Sequence, residues 1–325
     1  MTPELTRWGF LGAGMVATAA LAPAVRAAEG AVLQAVAARD VGRAAALGPV
    51  SAYDNYAAVL ADDAVDAVYI SLSNEQHLPW TVAALQAGKA VLCEKPLALS
   101  AAEVDQMAAV AAQTGMLLME ASWYRWHPRV RLAQRRLPEI GPVQHVTAGF
   151  TFDGSLEGNF RLDPARGGGA LYDVGCYAVS ACLWAVGAGL PEEVVARSTY
   201  GPTGVDLATE VILSWEAGPT AEVRVGMAGA GEGQWLVVTG SSGEIELRDA
   251  PYTSWRDDPT ELWISDGRDT SRLLVPAVDP YRIMVEEFGS VLAGGSGWVL
   301  PVEESRQTAA VLDAARASAL RPPLR

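Results

Sequence analysis

Gly12-Ala13-Gly14-Met15-Val16-Ala17 has the spacing, G-x-G-x-x-G/A, of a loop that cradles the pyrophosphate of a dinucleotide. Each position has a physical task. Gly12 permits a tight turn, Gly14 lets the pyrophosphate approach the backbone, and Ala17 lets a helix lie close on a strand. The N–H groups at the helix start, around Met15 and Val16, present a positive dipole end to phosphate. An ordinary strand-to-helix turn would look similar. What favours the cofactor is the loop's place after the first apolar run and before a strand–helix–strand unit. The next apolar run ends Ala37-Ala38-Arg39-Asp40. An NAD site would carry an acid there, bonded to the ribose 2′-hydroxyl. Arg39 can instead pair with a 2′-phosphate and stack on adenine, which favours NADP over NAD. The alternative is a surface Arg39 with Asp40 turned inward onto NAD.

Lysine is the next chemical signal, because it is scarce. Only Lys89 and Lys95 occur among 24 basic residues; the others are arginines. A guanidinium cannot deprotonate or act as a compact proton-handling cation, so each lysine invites a question. Lys95 stands in the turn Glu94-Lys95-Pro96 after an apolar strand. Lys89, in Ala87-Gly88-Lys89, reads as a solvated turn residue.

Composition removes several classes. The chain has 325 residues, about twice a typical domain, and half are hydrophobic, enough for a real core. A net charge of -14 argues against a nucleic-acid surface, though not against one local phosphate site. Cys93, Cys176 and Cys182 are too few for a disulfide framework or a zinc site, and no other metal set is evident. The apolar stretch 9–28 resembles a secretory signal, but Glu4 and the glycine pattern count against one. No uninterrupted apolar run reaches the roughly 20 residues of a membrane helix. A cytoplasmic protein is expected.

The elements that must hold these residues are legible. Short apolar runs at 8–11, 33–37, 67–72, 90–93 and 116–119 alternate with helical stretches, which predicts a parallel sheet covered on both faces. After about residue 142 the pattern changes. Strand-like segments at 143–152, 193–200, 209–215, 221–227, 234–239 and 244–247 predict an antiparallel sheet open on one face. A buried helix at 170–187 and two closing helices at 281–292 and 302–319 complete it.

Taken together, the glycine loop, Glu94-Lys95-Pro96 and the run Gly167-Gly168-Gly169-Ala170-Leu171-Tyr172-Asp173-Val174-Gly175-Cys176-Tyr177 resemble the glucose-fructose oxidoreductase / inositol dehydrogenase / MocA family. Asn74 with His77, Met119-Glu120-Ala121 and Arg125-Trp126-His127-Pro128 narrow the resemblance to the branch of NADP-dependent D-xylose dehydrogenase and dimeric dihydrodiol dehydrogenase. The resemblance implies an α/β plus α+β fold. A doubly wound Rossmann domain over 1–123 precedes a substrate domain with a large, mostly antiparallel sheet over 124–325, with helix 302–319 returning to the Rossmann domain. Nicotinamide and substrate are expected to meet between them. The resemblance makes Lys95 and Tyr177 the catalytic pair, with Asp173 beside them. It places Leu72, Asn74, His77, Glu94 and a cis Pro96 around the cofactor, and Trp123 and Arg125 with the substrate.

The residue chemistry fits that assignment. Oxidising a C–OH requires removal of a hydroxyl proton alongside hydride transfer. Asp173 and Tyr177 lie four apart on a helix and share a face. A nearby ammonium favours phenolate, so Lys95 can assist Tyr177 and also bond the reacting oxygen. Tyr177 as an ordinary core tyrosine and His127 as a helix cap are the plain alternatives. Ser122-Trp123 departs from the branch's usual pair and leaves the sugar open. The expected function is an NADP-dependent dehydrogenase or reductase of a pyranose sugar or cyclic polyol. The alternatives are a ketosugar reductase and a non-catalytic nucleotide-sensing regulator. The sheet alternation Val211, Leu213, Trp215, Val223, Val225 and Met227 is expected to form an exposed apolar face, covered in a homodimer or homotetramer.

Overall fold

The computed structural model describes residues 5–154, 157–216, 218–227, 229, 231, 233–256 and 259–320. The chain divides into two compact units. The first comprises residues 1–98, 102–123 and 279–303; the second comprises 99–101, 124–278 and 304–325.

In the first unit six parallel strands run in the order β3-β2-β1-β4-β5-β6. They are β1 (Thr6–Leu11), β2 (Ala31–Ala37), β3 (Ser51–Tyr53), β4 (Ala67–Ile70), β5 (Ala90–Cys93) and β6 (Leu118–Glu120). β4 and β5 are buried at every residue, as expected where helices cover both faces. The order reverses between β1 and β4, and that switch point is where an open parallel sheet binds its ligand. β3 was not legible in the sequence, being three half-buried edge residues.

Helix Pro280–Leu292 belongs to this unit. Asp279 caps it, and Phe288 packs on Trp8 with ring centroids 5.1 Å apart. Val302–Ala319 instead gives Val311, Leu312 and Ala315 to the core of the second unit. The segment that returns to the Rossmann sheet is thus 279–303.

The second unit is built on eight strands in the order β14-β13-β12-β11-β7-β10-β9-β8. They are β7 (Val143–Phe152), β8 (Glu193–Tyr200), β9 (Asp206–Ser214), β10 (Thr220–Met227), β11 (Gly233–Gly240), β12 (Glu244–Leu247), β13 (Thr260–Ser265) and β14 (Thr270–Val275). All neighbours are antiparallel except β7 and β10. β13 and β14 extend the sheet beyond what the sequence indicated.

The expected exposed apolar face is corrected. Val211, Leu213, Trp215, Val223, Val225 and Met227 are all buried, in one core with helix Cys176–Val186. Burying a side chain of that size contributes about 1.5–3 kcal/mol, so the chain covers this face itself. The open face carries the alternate residues, among them Glu210, Glu222 and Arg224, with Ile212 and Val195 exposed and paired across β9 and β8. Among the described residues one helix, Pro164–Val186, is long and apolar enough to cross a membrane, and 89% of its apolar window is buried inside the fold.

Candidate active site

The glycine loop leaves β1 at the switch point. Gly12 has φ +104°, and a Cβ there would sit 2.4 Å from the Ser71 carbonyl oxygen after β4. Only glycine fits, because both the conformation and the space exclude a side chain. A Cβ on Gly14 would meet nothing closer than Ser71 Oγ at 3.6 Å, an ordinary van der Waals contact, so the fold itself does not demand glycine there. Helix follows over residues 15–27, with a π segment Ala17–Leu21 just before Pro23. Pro23 has no N–H, and the wider turn accommodates it without ending the helix. Ala17 is fully buried, as close packing on β1 requires.

At the end of β2, Arg39 and Asp40 are both exposed. Asp40 Oδ1 accepts the Gly42 N–H at 2.8 Å and caps helix Val41–Ala46. Its carboxylate is therefore engaged locally. Arg43 Nη2 donates to the Ala13 carbonyl at 2.5 Å, which brings a second guanidinium against the glycine loop. Arg43 stands on helix Val41–Ala46, and the sequence alone carried no sign that it reaches back to the glycine loop.

The Glu94-Lys95-Pro96 turn follows β5, and the Lys95–Pro96 peptide is cis. Glu94 is buried and accepts the Tyr69 hydroxyl at 2.6 Å. Burial and the adjacent Glu94 charge push the Tyr69 phenol well up, so it stays a donor. His77 is fully buried, with Nδ1 2.9 Å from the Pro96 carbonyl and Nε2 3.3 Å from that of Leu72. Burial lowers its pKa and keeps it neutral. A neutral ring has one N–H, which suits the shorter contact to Pro96. His77 thus braces two loops of the switch point, the one carrying Leu72 and buried Asn74 and the one carrying Lys95.

Lys89 is not a solvated turn residue. It is buried, and its Nζ donates to the carbonyls of Asp62 (2.9 Å) and Val65 (2.8 Å). A compact ammonium with three donors fits two converging carbonyls ahead of β4. Trp123, also in the first unit, is buried and stacks on Tyr281 at 4.5 Å.

In the second unit the helix after the glycine run opens with a π segment, Leu171–Gly175, and continues as Cys176–Val186. Gly187, in the left-handed region, ends it. Asp173 and Tyr177 sit one turn apart on this helix, both buried. Tyr177 lies among Tyr124, Phe150 and Tyr252, with ring centroids 5.7, 5.8 and 6.0 Å away. Asp173 Oδ2 accepts from Arg161 Nε at 2.6 Å. Arg125 is buried and pairs with Glu304 at 2.7 Å. His127 caps helix Pro128–Arg136, its Nδ1 accepting the Arg129 N–H at 3.1 Å. Burial and the Arg129 charge lower its pKa to about 4. Arg129, fully buried, gathers the carbonyls of Arg248, Asp249 and Ala250, the loop that carries Tyr252.

A dinucleotide cradle at the switch point and a buried Asp/Tyr helix over a large open sheet define a nicotinamide-dependent oxidoreductase of two parts. The chain belongs to the GFO/IDH/MocA family: residues 6–122 match its oxidoreductase NAD-binding Rossmann fold, and residues 136–246 match its C-terminal domain. It is 38% identical to a D-xylose 1-dehydrogenase (NADP(+)) of Haloferax volcanii over 96% of this chain and 97% of that protein. It is 36% identical to a trans-1,2-dihydrobenzene-1,2-diol dehydrogenase of Mus musculus, over 65% of this chain and 66% of that one. Among solved structures it resembles a 3-ketoreductase from Actinomadura kijaniata in complex with NADP and TDP-benzene, with a TM-score of 0.89 and 29% identity over 97% and 98% of the two chains.

Proposed function

We propose that this protein is an NADP(H)-dependent dehydrogenase or reductase acting at a C–OH of a pyranose sugar, such as D-xylose, or a related cyclic polyol. The observation that carries the reading is the state of the second unit's helix. It holds a buried phenol, Tyr177, walled by aromatic rings, one turn after an ion-paired carboxylate, Asp173. Such a helix is equipped to hold a polar ring substrate by a carboxylate and to exchange a proton at a phenol. Similarity to the xylose dehydrogenase over nearly the whole chain supports the substrate class.

NADP is favoured over NAD. Asp40 is committed to capping, Arg43 bonds the glycine loop at Ala13, and Arg39 stands exposed just after β2, where an NAD site would need an acid. Gly12, Gly14, Met15, Val16 and Ala17 hold the pyrophosphate, and Leu72, Asn74, His77, Glu94 and Pro96 shape the nicotinamide end. The cofactor, when bound, accepts or supplies the hydride. Lys95 polarises the reacting oxygen, Tyr177 exchanges its proton, and Asp173 orients a sugar hydroxyl. Trp123 and Arg125 help shape the substrate's surroundings. A cofactor-reduction assay with NADP and NAD across a panel of aldoses and cyclic diols tests the reading. Turnover is expected with NADP and a sugar or diol, and a strong preference for NAD would contradict it.

Similarity to the 3-ketoreductase supports a second reading, reduction of a ketosugar carried on a nucleotide. Its signature would be NADPH oxidation with a keto-sugar and silence across the aldose panel. The protein is further proposed to form a homodimer or homotetramer through the sheet's open face, where Ile212 and Val195 are exposed. A monomer by light scattering at micromolar concentration would contradict that. Three buried free cysteines suit a reducing cytoplasm.

A further inference from the structure

We infer that Arg161 is a positioning residue for this helix, acting through Asp173; the inference rests on the reading of Asp173 as a substrate-orienting group. Arg161 Nε donates to Asp173 Oδ2 at 2.6 Å, with the Asp173 side chain 10% exposed and that of Arg161 24% exposed. Twelve residues separate the two, and the fold goes to some length to bring them together.

Asn159 Oδ1 accepts the Arg161 N–H at 3.1 Å and starts the short turn Phe160–Leu162. The Arg161 carbonyl then accepts the Gly169 N–H at 2.9 Å, which fastens this turn to the start of the helix. That approach is possible only because positions 168 and 169 are glycine. A Cβ on Gly168 would lie 2.4 Å from the Arg161 oxygen, and Gly169 has φ +119° with Asp206 Oδ1 2.0 Å from its notional Cβ. The glycine run therefore serves the docking of the Arg161 backbone, which delivers the guanidinium to Asp173 one turn into the helix. The Phe160 ring, 5.1 Å from the Arg161 guanidinium carbon, supports it from the side.

The consequence is chemical. A carboxylate with little solvent can rotate or attract a stray cation unless its charge is met and its plane is set. Arg161 does both by engaging one oxygen in a charge-assisted bond. The carboxylate is then held in one orientation toward a sugar hydroxyl, and a well-oriented acceptor favours one substrate pose.

The test is a double-mutant cycle in the full-length protein with NADP and D-xylose, or the best sugar of the panel. The variants are R161M, D173N and R161M/D173N. Each single variant is expected to lose about tenfold to a hundredfold in kcat/KM, the range for a hydrogen bond to a charged group. The double variant is expected to fall no further than D173N alone, because one effect runs through the other. A purely structural role for Arg161 would make the losses multiply. R161M at the wild-type value with D173N impaired, or losses that multiply, overturns the inference alone. D173N at the wild-type value overturns the role of Asp173 and the inference with it. Should R161M fail to fold, R161K decides. It is expected to be impaired but less than D173N, and wild-type turnover in it overturns the inference.

Discussion

Tyr69 on β4 donates its phenolic hydrogen to Glu94 at 2.6 Å, fixing the carboxylate immediately before Lys95. Glu94 Oε2 in turn accepts the Lys95 backbone N–H at 3.2 Å. The Lys95 turn is thus referenced to the core of the Rossmann sheet. Tyr69→Phe removes one bond to a buried carboxylate and should cost about 1–3 kcal/mol in denaturant unfolding. The KM for NADP should rise with it. A variant with unchanged stability and KM would show that Glu94 is held by other means.

The two glycines of the loop should fail differently. Gly12→Ala places a methyl against the Ser71 carbonyl at a positive φ, so both stability and cofactor binding should suffer. Gly14→Ala meets no atom nearer than 3.6 Å, so the fold should survive. NADP affinity, measured by calorimetry, should still drop at least about tenfold, or 1.4 kcal/mol, where the methyl meets the pyrophosphate. Normal NADP binding by Gly14→Ala would place the phosphates elsewhere.

Arg39→Ala and Arg43→Ala should each raise the KM for NADP by about tenfold to a hundredfold, the scale of a charge-assisted bond to phosphate. The KM for NAD should change little, since NAD lacks the 2′-phosphate. Equal losses with both cofactors would assign the arginines to holding the loop, through the Arg43 bond to Ala13, and not to reading the phosphate.

Acid should loosen the second unit through His127. Its folded-state pKa, about 4, lies below the ordinary 6.5, so protons bind the unfolded chain more readily. The stability that neutral His127 contributes is complete above pH 6.5 and is lost as pH falls through about 4, by at most about 3 kcal/mol. His77, also depressed by burial, acts in the same direction. Asp206, raised by burial, acts oppositely: its protonated form favours the fold, and that gain is lost as pH rises through its folded pKa. His127→Asn keeps a capping oxygen without titrating, so thermal unfolding of this variant should depend less steeply on pH between 6.5 and 4. An unchanged slope would remove His127 from the account.

Much of this is legible in the sequence. Continuous apolar strands between helices, with the glycine loop after the first, fixed the parallel sheet, because burial on both faces leaves no other pattern. Alternation in the second half revealed which residues share a face. It could not reveal which face the chain covers, and the six apolar residues read as exposed proved to lie under helix Cys176–Val186. Arg161 was invisible because its partner is twelve residues away and the link depends on a turn that only the folded backbone defines. Lys89 was misread for a similar reason, since the carbonyls it binds come from residues 24 and 27 positions earlier.

The central claim is that Lys95 and Tyr177 conduct the proton chemistry at a sugar C–OH. Steady-state kcat for Lys95→Ala and Tyr177→Phe, with NADP and the best sugar of the panel, tests it most directly. Each should fall by about 10²–10⁴, the usual contribution of a positioned acid or base. A larger loss in one of them would identify the proton carrier. Near wild-type kcat in both variants would contradict the assignment.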